Sequence, residues 1–313
     1  QMLSPEQIAA RWGGLLTGFV PAPLDHPITP GLPAGSVTDD TEQAVLLGRL
    51  LVNGRGTVDP GDLAAALLSW ERSVAARGLP DMLGPSTRRA LGALVAGTPP
   101  ERAGASGATN GAAMRIAPVG IAVPPDLSAL ADQVQAASLV THNTGIALAG
   151  AAAIAAAVSA GISGAGIADA TALAVAAARI GARRGHWVAG ADVAARIGWA
   201  TGLVAGLPGP DLTGAARVIG ALVGTSVATQ ESVPAAFAVL AAVPGDPWQA
   251  CLLAASLGGD CDTIAAMAGA VAGACHGVAA FPPEATVVID GHGLGLAELA
   301  DDLYALRTRW PPP

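Results

Sequence analysis

From Gly145 to Ala182 the chain carries no charged residue except Asp169 and Arg179, and most of its apolar positions there are alanine interleaved with glycine and serine. A stretch this free of charge either crosses a membrane or is buried on every side by protein. Insertion is driven by Leu, Ile and Phe, of which it has little, whereas small side chains are what helices use where their backbones approach closely. The stretch is therefore read as buried helices of a large soluble bundle. Alanine also explains how the whole chain reaches 52% apolar residues and a mean hydropathy of +0.51 without a membrane span being expected.

Helical punctuation recurs along the rest. Ser4-Pro5-Glu6-Gln7 combines a cap residue, a proline at the first helical position and a glutamine closing a capping box, which predicts a helix to about Thr17. Gly18 to Val37, rich in proline, is expected to be a loop, followed by a helix ending near Asn53-Gly54. Asp59-Pro60 opens another that stops at Arg77-Gly78. A further one fits Pro85 to Ala96, and Gly97 to Gly111 reads as an irregular connection. The second half is almost continuously helical by pattern, broken at Gly161-Ile162-Ser163-Gly164, Gly185, Gly190, Pro208-Gly209-Pro210 and Pro244-Gly245-Asp246-Pro247. Only Thr286-Val287-Val288-Ile289 reads as a strand. One strand makes no sheet, so the expected class is all-α, a single compact multi-helix domain over residues 1–313 with no composition shift to mark a seam.

Composition also narrows the function classes. A net charge of −8 and a pI near 5.0, with no basic cluster longer than Arg183-Arg184, argue against nucleic acid as a partner. Cys251, Cys261 and Cys275 are odd in number and fall in predicted helices, so a disulfide framework is not expected and a reducing, cytoplasmic compartment is. Gln1 is read as an addition ahead of a natural start at Met2, and no basic and apolar leader pattern follows it. Oligomeric state leaves no mark on the sequence.

Against a charged content of only 13%, two short clusters stand out: Thr38-Asp39-Asp40-Thr41 and Gly259-Asp260-Cys261-Asp262-Thr263. Crowded carboxylates repel one another and resist ionising unless a hard cation lies between them. Each cluster precedes an apolar helical pattern, so each is also a candidate helix N-cap, and the expectation is that both roles are served together. Gly258-Gly259 supplies the tight break between a helix over 248–256 and one over 264–275. Oxygen ligands with no His or Cys partner nearby suit Mg²⁺ or Mn²⁺ rather than Zn²⁺.

Four blocks in order carry a family resemblance: Thr38-Asp39-Asp40-Thr41, Asn110-Gly111-Ala112-Ala113-Met114-Arg115-Ile116-Ala117-Pro118, Thr141-His142, and Gly258-Gly259-Asp260-Cys261-Asp262-Thr263 with Ala266, Gly269 and Gly273-Ala274 after it. In these the chain resembles the ADP-ribosylglycohydrolase family. The resemblance implies an all-α fold with a dinuclear Mg²⁺ or Mn²⁺ cleft and hydrolysis of a glycosidic bond at the anomeric carbon of ribose. It assigns Thr38, Asp39 and Asp40 to one ion, Asp260 and Thr263 to the other, and Asp262 to the bridge. Asp39 or Asp40 would act as the catalytic base. Asn110, Gly111, Met114 and His142 would position the substrate, a ribose-containing small molecule or an ADP-ribosylated protein.

Several residues keep two readings at this level. Asn110-Gly111 is either a loop facing ribose or phosphate oxygens or an ordinary loop before a helix. Arg115 is either a phosphate partner or part of a structural salt bridge, and His142 either lies near the ligand or is a buried hydrogen-bonded histidine. Cys261 is expected to point away from hard cations, His186-Trp187 and Asp290-Gly291-His292 to be surface or core features, and Gly161 to Gly166 to be a helix break rather than a phosphate loop.

The chain also departs from the family. Members usually carry Gly-Asp-Ala-Leu-Gly after the first helix and then a Glu-bearing segment that closes over the site. Here that place is taken by Trp12-Gly13-Gly14-Leu15-Leu16-Thr17-Gly18-Phe19-Val20-Pro21. No glutamate occurs between Glu6 and Glu42, and Asp25 is the loop's one acidic residue. Aromatic residues that could stack an adenine are few, namely Trp187, Trp199, Trp248, Phe19 and Tyr304. The leading expectation is an ADP-ribosyl substrate. A small nucleoside-like N-riboside is the alternative, and a non-catalytic ADP-ribose-binding or crystallin-like structural role is the alternative of another class.

Overall fold

The computed structural model describes residues 1–79, 83–207 and 211–311. It is all-α, and among the described residues there is no strand, only isolated bridges between Thr109 and Ala228 and between Thr144 and His186. The first half contains α1 (Pro5–Trp12), α2 (Asp39–Asn53), α3 (Pro60–Ala76), α4 (Pro85–Val95), α5 (Pro100–Ala103), α6 (Gly111–Met114), α7 (Ala117–Ala122) and α8 (Leu127–Ser138). The second contains α9 (Gly145–Ile162), α10 (Ile167–Gly181), α11 (Val193–Ala205), α12 (Leu212–Val218), α13 (Thr229–Ala242), α14 (Pro247–Ala255), α15 (Cys261–His276), α16 (Pro283–Asp290) and α17 (Leu296–Thr308). A π-helical turn, Ile219–Val223, continues α12.

The alanine-rich stretch becomes the hub. Every residue of α9 from Ala147 to Gly161 is buried, and α6, α7, α8, α10, α11, α13 and α15 all pack against it. Among the described residues it is the one helix long and apolar enough to cross a membrane, and 89% of it is buried inside the protein. Its neighbours come close enough to require glycine. A Cβ on Gly120 of α7 would lie 2.5 Å from the Ala155 carbonyl oxygen, and one on Gly161 would lie 2.8 Å from the Ala274 backbone of α15. Alanine and glycine thus replace large side chains because seven helices share one axis.

Helix starts follow the sequence signals. Ser4 forms the full capping box, and Asp59, Asp126, Asp192, Asp211 and Asp246 each accept backbone N–H groups of the first turn. Helix α1 stops earlier than expected, at Trp12, because Gly13 takes a left-handed conformation at φ +80°. The connection over 97–111 contains the short α5. The expected strand at Thr286-Val287-Val288-Ile289 is instead the body of α16. Pro283 sits at its first position, Thr286 Oγ1 donates to the Pro283 carbonyl, and among the described residues there is no strand for it to pair with. The break at Pro208-Gly209-Pro210 lies outside the described residues.

Candidate active site

The starts of α2 and α15, far apart in sequence, pack against each other. Gly258 and Gly259 both adopt positive φ, +73° and +64°, and are held on two sides. The Gly259 N–H donates to the Leu3 carbonyl at 2.9 Å, and the Asp260 N–H to that of Thr225 at 2.7 Å. A side chain at 259 would collide with the Thr225 carbonyl at 2.5 Å, so the double glycine lets the turn pass. Helix α15 begins three residues before the expected 264, which brings Asp262 and Thr263 into its first turn.

The expected cap positions are found, but not the capping hydrogen bonds. Thr38 and Asp260 occupy the cap positions of α2 and α15, yet neither makes a side-chain capping hydrogen bond, unlike the aspartates of the other helices named above. The oxygens face each other instead. Thr38 Oγ1 donates to Asp40 Oδ2 at 2.8 Å, and Asn110 Nδ2 donates to Asp260 Oδ2 at 2.5 Å and lies 3.0 Å from Ser232 Oγ. The Thr263 hydroxyl reaches both Asp40 and Asp260. Buried oxygens Oδ1 of Asp40 and Oδ1 of Asp262 have no partner.

The electrostatics are those expected of crowded carboxylates taken out of water. Burial, and then the charges of Asp40, Asp262 and Asp260, push Asp39 well above the usual carboxylate value. Burial foremost, with Asp260 adding to it, raises Asp40 to about 6 despite the hydrogen bond from Thr38. Asp262 is pushed well up by burial, Asp40 and Asp260, and Asp260 is raised by burial against the relief given by Asn110 and Thr263. Among the described residues no three Asp, Glu, His or Cys side chains converge as a closed metal-binding group. The donor chemistry nevertheless suits a hard divalent cation: all-oxygen groups, two orphaned carboxylate oxygens, and a repulsion that added positive charge would relieve.

Two hollows meet at this acidic seam. One, about 170 Å³, is bordered by Asp39, Asp260, Thr263, Thr109, Asn110, Gly111 and Met114. The other, about 350 Å³, has apolar walls from Trp12, Leu16, Phe19 and Val20, and reaches Thr38, Asp40 and Asp262 at one end. The structure thus brings Thr38, Asp39, Asp40, Asp260, Asp262 and Thr263 together, with Asn110, Gly111 and Met114 on the wall of the smaller hollow. His142 is fully buried behind that wall.

Arg115 lines neither hollow and is held inside the protein. It is 1% exposed, donates to Gln43 Oε1 at 2.9 Å and Thr141 Oγ1 at 2.6 Å, and faces Asp39 as a buried positive charge. Asp25 does not replace the missing glutamate: it is ion-paired with Arg11 at the surface, 2.8 Å away. Glu42 is likewise committed, to Trp70 and Arg77. The aromatic candidates lie away from the smaller hollow. Trp187 is exposed, Trp199 packs under Arg196, Tyr304 is on α17, and Trp248 meets Phe19 edge to face at 5.3 Å. Cys261 is buried in the core cluster. Sequence reading passed over Thr109, Gln43 and Thr87. Thr109 and Thr87 border the hollow and Gln43 anchors Arg115, but hydroxyl and amide groups in loops and helices give no spacing signal of their own.

Known proteins extend the picture. The uncharacterized protein YegU of Escherichia coli (strain K12) is 34% identical over 278 residues, covering 88% of this chain and 82% of its own. An uncharacterized protein of Archaeoglobus fulgidus is 31% identical over 310 residues, covering 98% and 90%. A solved structure described as an ADP-ribosylglycohydrolase-related protein complex superposes with a TM-score of 0.62 at 26% identity, over 92% of this chain and 90% of that one. The family model for ADP-ribosylglycohydrolase matches residues 1–313, and the chain belongs to that family of glycosyl hydrolases.

Proposed function

We propose that this protein is a metal-dependent hydrolase that cleaves the bond between the anomeric carbon of a ribose and its leaving group, in an ADP-ribosylated side chain or an ADP-ribose derivative. The observation that carries this is the pair of acidic helix starts whose first residues, Thr38 and Asp260, make no side-chain capping bond, and whose buried carboxylates meet at one seam with two oxygens left unpartnered. Thr38, Asp39 and Asp40 on one side and Asp260, Asp262 and Thr263 on the other would hold two divalent cations. Bound there, Mg²⁺ or Mn²⁺ neutralises the carboxylates and lowers the pKa of a water molecule.

The chain's own groups account for the remaining work. Asn110 fixes the orientation of Asp260, and Thr38 that of Asp40. Asp39, on the hollow, and Asp40, whose affinity for protons is raised toward neutrality, are placed to take the proton of the attacking water. The new C–O bond forms at the anomeric carbon, the bond to the leaving group breaks, and the proton taken from the water passes to the leaving group, which restores the carboxylate. Asn110, Gly111 and Met114 shape the wall against which the sugar lies.

A second reading, a small nucleoside-like N-riboside as substrate, is favoured by the segment over 13–37. It has no free acid and walls a hollow of about 350 Å³ with mainly apolar side chains. A release assay with Mg²⁺ and with Mn²⁺ separates these, using ADP-ribosyl-arginine, ADP-ribosyl-serine peptide and simple nucleosides. Free ADP-ribose is expected from an ADP-ribosyl substrate, and Asp262→Asn is expected to abolish release and weaken uptake of both ions. Ribose released from a nucleoside alone would transfer the assignment to the second reading. No turnover of any substrate with metal bound would leave a binding or structural protein.

A further inference from the structure

Behind the wall of the smaller hollow runs a line of hydrogen bonds whose direction is set from its buried end. Arg115 can only donate, and its Nη2 gives a proton to Thr141 Oγ1 at 2.6 Å. Thr141 is fully buried, and its hydroxyl has one proton to place, with His142 Nδ1 2.7 Å away. If Nδ1 held the proton, the Thr141 hydroxyl would be left with no acceptor in a dry environment, which buried hydroxyls rarely tolerate. Thr141 therefore donates to Nδ1. His142, with no exposed surface and Arg115 beside it, is neutral and has its proton on Nε2, which donates to Thr109 Oγ1 at 3.0 Å. The proton of the Thr109 hydroxyl is then left for the hollow that Thr109 borders. With the other tautomer Thr109 would spend that proton on the imidazole and offer the hollow lone pairs only.

The line is rigidly mounted. The Asn143 N–H donates to the Gly104 carbonyl at 2.9 Å, Thr144 Oγ1 to that of Gly107 at 2.6 Å, and the Asn110 N–H to that of Val227 at 3.0 Å. Gly111 closes on the ring: a Cβ there would lie 2.8 Å from His142 Cε1. We propose that Thr109 is a substrate-orienting residue that donates its hydroxyl proton to an acceptor oxygen of the ligand, with Arg115, Thr141 and His142 as positioning residues that fix the direction of that donation. This rests on the ribosyl reading of the same hollow. The acceptor is a sugar oxygen or a phosphate oxygen, both of which accept such a bond.

Nitrogen-15 NMR of the intact protein reads the His142 tautomer, and calorimetry with Mg²⁺ reads binding of ADP-ribose and of free ribose to the wild type, Thr109→Ser and Thr109→Val. The expected results are an Nε2–H imidazole, affinity kept within about two-fold in Thr109→Ser, and a loss of about ten-fold in Thr109→Val. Loss for ADP-ribose alone identifies a phosphate oxygen as the acceptor, and loss for both ligands a sugar oxygen. An Nδ1–H imidazole, or unchanged affinity of Thr109→Val for both ligands, overturns the proposal. If the wild type binds neither ligand, the ribosyl reading fails. The tautomer alone then decides the relay: Nε2–H upholds its direction and Nδ1–H refutes it.

Discussion

Asp40 shows what the acidic seam costs the protein when no cation shares it. Its carboxyl, nearly fully buried, is raised from 3.8 to about 6 by burial and the neighbouring Asp260. Above pH 4 the unfolded chain gives up this proton while the folded one keeps it, so folding stability falls as pH rises from about 4 to about 6 and stays lowered beyond. The expected loss from this group is on the order of 3 kcal/mol. Asp40→Asn removes the charge, so metal-free Asp40→Asn should be more stable than metal-free wild type at pH 7 and similar to it at pH 4. Urea denaturation at both pH values checks this, and a variant less stable at pH 7 would contradict the electrostatic account. Added Mg²⁺ should stabilise the wild type more than the variant, which keeps Asp39, Asp260 and Asp262.

The acidic clusters were legible because carboxylates crowded into one turn are rare in a chain so poor in charge. The relay from Arg115 to Thr109 was not. Its members come from separate segments, and a threonine's role depends on which neighbour takes its proton, a fact of three-dimensional contact and not of spacing.

Among the elements, α9 owes its place to its alanines, and that was readable from the sequence. Helix α16 was not, because the β-branched run at 286–289 has strand preference in isolation, whereas Pro283 at its first position and the lack of any strand among the described residues favour helix. The last helix is tied down in a way no pattern announces. Arg307 of α17 donates to the carbonyls of Gly120 and Val123 at the end of α7, and to Ser159 and Ser163 at the end of α9. It adds a charged donor to carbonyls at two helix ends, where intrahelical donors run out. Arg307→Ala should cost about 2–3 kcal/mol and lower the denaturation midpoint with little change in its slope. Arg307→Lys should recover only part, since an ammonium cannot span both helix ends as the planar guanidinium does. An Arg307→Ala protein as stable as the wild type would show the staple to be dispensable.

For the whole molecule, the bundle around α9 serves to bring two distant helix starts into one seam, and packing is what turns two ordinary cap sequences into a candidate cation site. Fold class and the acidic residues were both written in the sequence. What the sequence misjudged was the local arrangement, since it expected the clusters to cap their helices as well, whereas the packing of α2 on α15 gathers the carboxylates at one seam, where burial and mutual repulsion raise their affinity for protons. The most direct measurement is anomalous diffraction from crystals grown with Mn²⁺. The account predicts two peaks between the starts of α2 and α15, contacted by oxygens of Asp39, Asp40, Asp260 and Asp262. No peak there, with Mn²⁺ found only on the surface or absent, would contradict it.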